Sequence, residues 1–216
     1  MTTYAWFGNI RTAWPTVQIR RVAPLGTGHT PDRDNEDYWI DCSIPWVTVA
    51  DIQALPGSGL DPLMDTEQHI SELGLANSAA VLHPAGTVFV SRTASIGHAC
   101  RSGVPMATTQ AFVTWTPGPD VDSLYLLLAA KVMAPELDRL GYGATHASIY
   151  MPDLEALRMP LPPLAEQQEI AARVSDQVAQ VDQILEGTGG LGRLAALLVE
   201  YRRAVMVDGV TGVQAT

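Results

Sequence analysis

The apolar positions fall into two regimes along the chain. In the first, short apolar runs are separated by punctuating residues: Pro15, Pro24, Gly26, Gly28, Pro31, Pro45, Pro56, Gly57, Gly59 and Pro62. Runs such as Trp46-Val47-Thr48-Val49, Thr87-Val88-Phe89-Val90-Ser91 and Gln110 to Trp115 carry β-branched and aromatic residues and read as strands. One helix is predicted from Asp122 to Leu140. Ser123 caps it, Leu124, Leu127, Leu128 and Val132 form a face, and Gly141 ends it. Pro135 inside this stretch should kink or split it. His69 to Leu73 reads as a helical turn closed by Gly74.

The second regime begins at Met159-Pro160-Leu161-Pro162-Pro163-Leu164, an extended lead-in with Pro163 near a helix start. Ala165 to Glu186 then contains no Gly or Pro. Ile170, Val174, Val178, Val181 and Leu185 are spaced 4, 4, 3, 4, an apolar stripe on one helical face, with Glu166, Gln167, Arg173, Gln177 and Gln180 opposite. The run Gly187 to Gly192 interrupts the pattern. A second stripe, Leu194, Leu198, Tyr201 and Val205, is closed by Asp208-Gly209. A helix of about 22 residues is ~33 Å long. Its stripe must pack on something outside the first 160 residues, such as a second chain, or on its own second half.

These patterns predict a mixed α+β fold of class α/β. A globular domain of short strands and loops, 1–160, is followed by a long C-terminal helix, 161–216, broken near 187–192. At 216 residues the chain suits one domain, or one with an appendage, and can bury a core without a disulfide or metal. The 47% hydrophobic and 17% charged composition excludes a disordered tail. No apolar run approaches the ~20 residues of a membrane span. Met1 to Trp14 lacks the basic and apolar regions of a secretory signal, and Cys42 and Cys100 read as two reduced thiols, which together suggest a cytoplasmic protein.

Charge complicates any nucleic-acid reading. There are 9 basic and 16 acidic residues up to Pro160, and 4 and 7 beyond, for a net charge of −10. Neither part has the basic balance of a free-standing nucleic-acid binder.

The motifs of common catalytic sites are missing. Gly187, Gly189 and Gly192 spell G-x-G-x-x-G, but a helix precedes them where a dinucleotide site needs a strand. There is no phosphate-binding P-loop and no G-x-S-x-G elbow. The five histidines show no H-x-x-x-H, and no cysteine lies at metal-ligand spacing, so no metal site is expected. What remains is polar residues on glycine-rich turns: L-G-T-G-H-T-P-D-R from Leu25, V-S-R-T-A-S-I-G-H from Val90 and G-Y-G-A-T-H-A-S-I-Y from Gly141. Such loops can bond a phosphate backbone and leave Arg or His to read base edges. Equally, their Ser and Thr can cap turns and satisfy backbone.

Taken in order, these pieces resemble the specificity subunit of type I restriction-modification systems. The matching segments are G-T-G-H-T-P near residue 26, I-P-W-V-T-V-A-D-I from Ile44, H-I-S-E-L-G-L from His69 and P-A-G-T-V-F-V-S-R-T-A-S-I-G from Pro84. G-A-T-H-A-S-I from Gly143, P-L-P-P-L-A-E-Q-Q-E-I from Pro160 and V-T-G at Val210 complete the set. The resemblance implies a non-catalytic subunit that binds double-stranded DNA. In that family two target-recognition domains, each followed by a long helix, read the halves of a bipartite target. Methyltransferase subunits that carry S-adenosylmethionine dock on the assembly, and a restriction subunit can join. This chain itself is expected to bind no cofactor.

With one recognition domain and one helical region, the chain resembles a half-length subunit that acts as a homodimer. A two-fold dimer would read an interrupted palindrome. Its acidic charge leaves a second reading: an interaction protein that exchanges into another specificity subunit's complex without reading DNA itself.

By position, the resemblance implies DNA contacts at Thr27, His29, Thr30, Thr48, Arg92, Thr93, Ser95, Thr145, His146 and Ser148. Arg92 suits a bidentate guanine or phosphate contact, or a surface ion pair. His146 reads as a base reader or as a histidine packed near Pro160. Glu166 and Gln167 open the long helix. They read as residues that favour a helix N-terminus or as a docking surface. Ile170, Val174, Val178, Val181 and Leu185 are expected to pair with the helix of a second chain.

Overall fold

A computed structural model describes residues 14–93, 95–143, 147–187 and 193–212. A four-stranded antiparallel sheet forms from β2 (Leu25–Thr27), β8 (Phe112–Trp115), β5 (Val88–Ser91) and β6 (Ala99–Arg101), in that spatial order. A smaller sheet orders β4 (His69–Ile70), β3 (Ile44–Val47) and β7 (Ala107–Thr108), with β3 and β7 parallel. β1 (Thr16–Gln18) pairs antiparallel with β9 (Arg158–Pro160), which joins the two ends of the globular part. The helices are α1 (Val49–Gln53), α2 (Glu72–Ala76), α3 (Ser123–Val132), α4 (Ala134–Leu140), α5 (Met151–Ala156), α6 (Leu164–Gly187) and α7 (Arg193–Thr211). Among the described residues, no helix is long and apolar enough to cross a membrane.

The core has three layers. The inner face of the four-stranded sheet, with Val88, Val90, Val113 and Trp115, covers one side of α3. The antiparallel pair α6 and α7 covers the other with Ile170, Val174, Val178, Met206 and Val210. α3 therefore buries nearly its whole circumference, from Tyr125 to Ala130. A helix apolar all round belongs at the centre of a core. The Tyr125 hydroxyl lies 3.1 Å from the Pro160 carbonyl and 3.2 Å from that of Val210. Burial, reinforced by the charge of Glu166, pushes its pKa well up and keeps it a neutral donor.

Several local expectations are corrected. Asp122, rather than Ser123, caps α3: its Oδ1 accepts the N–H groups of Leu124 and Tyr125, both at 2.9 Å. Ser123 is the first helical residue and accepts from Arg101. Pro135 does split the helix, and sits in the first turn of α4, where its missing N–H costs little. Val49 is helical rather than extended, because Thr48 and Asp51 start a helix there. His69 lies in a strand, and Gly74 lies inside α2 rather than ending it. A Cβ on Gly74 would stand 2.7 Å from the Tyr38 carbonyl, so tertiary contact decides that position.

The long helix follows its predicted course, and its stripe is covered from within the chain. Ile170, Val174, Val178 and Val181 are buried under α3 and α7, and Leu185 is half-buried. The expectation that these side chains pair with a second chain is thereby corrected: α7, the second half of the helical region, supplies part of the cover, and α3, which lies within the first 160 residues, supplies the rest. Gly209 does not close α7. It sits inside it, where a Cβ would lie 2.5 Å from Val174 Cγ2, and the helix runs on to Thr211 before Gly212 at φ +70°. The face that α7 buries is accordingly Met206, Gly209 and Val210, while Tyr201 of the predicted stripe is exposed.

Candidate nucleic-acid interface

The polar loops meet at the segment Thr108 to Ala111. Gly28 crosses it so closely that a Cβ there would stand 1.9 Å from the Thr108 carbonyl. The His29 N–H donates to that carbonyl at 3.0 Å, and its ring is exposed. The Thr30 hydroxyl donates to Gln110 Oε1 at 3.0 Å. Arg92 reaches the same segment from the β5 side. Its N–H donates to the Ala111 carbonyl at 2.8 Å and its Nε to the Gln110 carbonyl at 3.2 Å. Its Nη1 donates to the Ile149 carbonyl at 3.1 Å, while the Ile149 N–H returns a bond to the Arg92 carbonyl at 2.9 Å.

Thr93 and Ser148 form an antiparallel bridge, and Ser148 also pairs with Tyr142. The Ser95 N–H donates to the Thr93 carbonyl at 2.7 Å, and the Ser91 hydroxyl donates to the Ser95 carbonyl, which makes a tight turn. The Thr108 hydroxyl donates to the Val47 carbonyl at 2.9 Å, which ties Thr48 to the same neighbourhood.

The sites expected from sequence thus sort into roles. His29, Thr30 and Arg92 meet on Thr108 to Ala111, Thr93, Ser95 and Ser148 lie beside Arg92, and Thr27 and Thr48 adjoin the same segment through Phe112 and Val47, so that these loops form a rim. Thr145 and His146 lie outside the described residues. The Thr27 hydroxyl is engaged by the Phe112 carbonyl at 2.8 Å. Thr48 is engaged by Asp51, whose carboxylate accepts from its hydroxyl at 2.6 Å and its N–H at 2.7 Å. Arg92 makes carbonyl contacts rather than the surface ion pair its neighbourhood of carboxylates suggested. It clamps two loops through Nε and Nη1. His29 presents an exposed side chain.

A protein-family comparison matches residues 12–188 to the type I restriction modification DNA specificity domain. The chain belongs to that family. It is 28% identical over 170 residues to the type I restriction enzyme MjaIX specificity subunit of Methanocaldococcus jannaschii, covering 78% of this chain and 38% of that subunit. Its fold is similar to that of the HsdS subunit from Thermoanaerobacter tengcongensis, with TM-score 0.61, 21% identity, and coverage of 92% of this chain and 45% of that one. The S subunit of the type I restriction-modification system from M. genitalium aligns with TM-score 0.54 at 16% identity, covering 91% and 50%. The chain therefore spans half or less of the length of these relatives.

Sequence reading passed over three further residues on or next to these loops. Arg33, three residues beyond Thr30, lays its guanidinium 5.1 Å from the Trp39 ring centroid and 5.6 Å from that of Trp46. Stacking uses the face of the cation and leaves its N–H edge for an acceptor. Tyr142 and Tyr150 flank the Ser148 bridge with ring centroids 5.9 Å apart, 58% and 62% exposed. Both lie in turns quoted above as loops, but their pairing depends on a bridge that sequence does not reveal.

The opening of α6 also has a structural role. Gln167 is fully buried. Its Nε2 donates to the carbonyls of Asp120 and Pro162, and its Oε1 accepts the Asp122 N–H, all at 2.9 Å. The expectation that Gln167 docks a partner is corrected: no part of it is accessible. Glu166 accepts from the Trp14 indole at 3.0 Å. At the far end of the helical pair, Ile184 (49%), Leu197 (54%) and Tyr201 (54%) are exposed apolar side chains.

Proposed function

We propose that this chain is the non-catalytic DNA-recognition subunit of a type I restriction-modification assembly. In this reading residues 1–160 form the recognition unit and 161–216 the helical spacer. The rim built on Thr108 to Ala111 faces one half of a bipartite double-stranded target. Arg33, His29 and the free edge of Arg92 supply phosphate or base contacts. Methyltransferase subunits carry the S-adenosylmethionine and the chemistry, and a restriction subunit can join. The observation that carries the reading is the gathering of separate family-motif loops on one rim.

Within this reading, a homodimer in which a second copy supplies the other half-site is supported by the exposed apolar side chains at the far end of the helical pair. The stripe from Ile170 to Val181 is engaged within the chain. Self-association is therefore assigned to the exposed apolar side chains Ile184, Leu197 and Tyr201. The test is genome-wide adenine methylation in a clean host that expresses the chain with its candidate methyltransferase, and each alone. An interrupted palindrome methylated only by the pair is the expected result. The abolition of both dimer and methylation by Leu197→Glu with Tyr201→Glu, in a folded chain, is expected as well.

The net charge of −10 favours one alternative, a half-subunit that exchanges into another specificity subunit's complex. A folded, associated pair that methylates no motif would select it.

A further inference from the structure

Apart from the rim, a cavity of about 420 Å³ opens where the turn 56–59, the turn before β6, α3 and α7 converge. Lys131 of α3 and Arg202 of α7 both line it. The Lys131 ammonium is partly buried and donates to the Ala99 carbonyl at 3.1 Å. Gly59, at φ +62°, passes over it: a Cβ there would be 3.4 Å from Nζ. The nearby carboxylate, Asp182 of α6, is already engaged at both oxygens. Oδ1 takes Arg202 Nη1 at 2.6 Å, and Oδ2 takes the Ser58 N–H at 2.8 Å. The Cys100 thiol beside Lys131 supplies no charge, because burial pushes its pKa up to about 12. Two cations thus share one carboxylate inside an acidic protein, and an ammonium with three donors has one carbonyl acceptor. Two partly buried cations with one carboxylate between them leave one positive charge uncompensated, and an anion entering the cavity offsets it.

We propose that this cavity binds a small oxyanion, a phosphate or carboxylate group, held by Lys131 Nζ and the outer edge of Arg202. The site would have a mechanical consequence. Gly97, His98 and Ala99 form one wall, and the turn they end begins at Ser91 and Arg92. That turn is closed by the Gly97 N–H donating to the Ser91 carbonyl at 3.0 Å and the His98 N–H donating to the Ser91 hydroxyl at 3.0 Å. Arg202, on α7, lines the same cavity. A bound anion therefore links the base of the Arg92–Ser95 turn to the helical pair.

Burial lowers the Lys131 pKa to about 8, with Cys100 on β6, Arg202 on α7 and Asp182 on α6 as the charged or titratable groups around it, and His98 lining the same cavity. Anion affinity should then fall as pH rises through that region and the amine loses its proton.

The test is calorimetric titration of the full chain with inorganic phosphate at constant ionic strength in chloride. The expected result is saturable binding at one site per chain, weakened about 10-fold or more by Lys131→Met and by Arg202→Gln, as the loss of a charge-assisted bond predicts. Arg203→Gln, at an exposed neighbour, should leave it unchanged. Acetate and a nucleoside monophosphate, run in parallel, distinguish the source: the tighter binder identifies a carboxylate, a free phosphate or a phosphorylated metabolite. A sulfate titration across pH needs no variant, since sulfate keeps its charge while Lys131 loses its proton. Absence of saturable heat for every anion overturns the proposal. So does binding that Lys131→Met leaves intact, or sulfate affinity that is flat through pH 8.

Discussion

Gln167 and Asp122 meet across 45 residues of chain, the side-chain oxygen of one accepting the backbone N–H of the other at 2.9 Å. Asp122 in turn caps α3, so one buried amide aligns the start of α3 with the start of α6. Gln167→Leu would leave the Asp122 N–H and the Asp120 and Pro162 carbonyls without that partner. A loss of about 2–4 kcal/mol is expected in urea denaturation. Gln168→Leu, on the exposed face, should cost under about 0.5 kcal/mol.

Arg92 joins Gln110 to Ile149, and its role as a clamp predicts more than lost contacts to a ligand. Arg92→Lys keeps the charge but cannot reproduce the fork that reaches both carbonyls. Hydrogen exchange at the amides of Ser148 and Ile149 should quicken in Arg92→Lys, and target methylation by the reconstituted complex should fall. Unchanged exchange would reduce Arg92 to a simple charge.

Gly209 lies in a helix, where Ala is intrinsically favoured by about 1 kcal/mol. Gly209→Ala should nonetheless destabilise, because overpacking against Val174 costs about 1–3 kcal/mol. Adding Val174→Ala to that variant should destabilise it less than the same change does in the wild type. A double-mutant cycle measures the coupling.

His83 is buried against Phe89, with ring centroids 5.6 Å apart, and its Nε2 has no hydrogen-bond partner among the described residues. Burial lowers its pKa below the ordinary 6.5, and a backbone bond with Thr27 opposes this in part. The unfolded chain therefore takes up this proton first as pH falls. The stability that the neutral ring contributes is present above pH 6.5 and is lost as pH drops below it. His83→Gln should show a shallower fall of stability with acid than the wild type, read from denaturation midpoints between pH 7.5 and 5 (roughly the window bracketing the histidine titration).

The legible parts of this fold are those that a local pattern dictates. The 4, 4, 3, 4 spacing from Ile170 to Leu185 marks α6, and Pro135 marks the junction of α3 and α4. Positions settled by distant chain were not legible. Gly74 and Gly209 look like helix ends but are sites of close approach, to Tyr38 and Val174. Thr48 resembles an exposed hydroxyl in a motif, yet Asp51 holds it as a helix start. At the rim, the motifs located the loops but not their hub, because Thr108 and Gln110 carry no sequence signature and acquire their role only through Thr30 and Arg92. The covered stripe has the same cause: an amphipathic helix announces that it needs a partner, not which segment provides it.

The contact between Gly209 and Val174 also governs how this molecule can tolerate change in length. The stagger of the two long helices is locked by a missing methyl group on one side and a branched side chain on the other. The Asp182–Arg202 pair locks it again about two turns away. A residue inserted between Val174 and Asp182 would rotate every later side chain by about 100° and bring the two locks into conflict. The paired helices thus form a shaft intolerant of any change in length between the two locks.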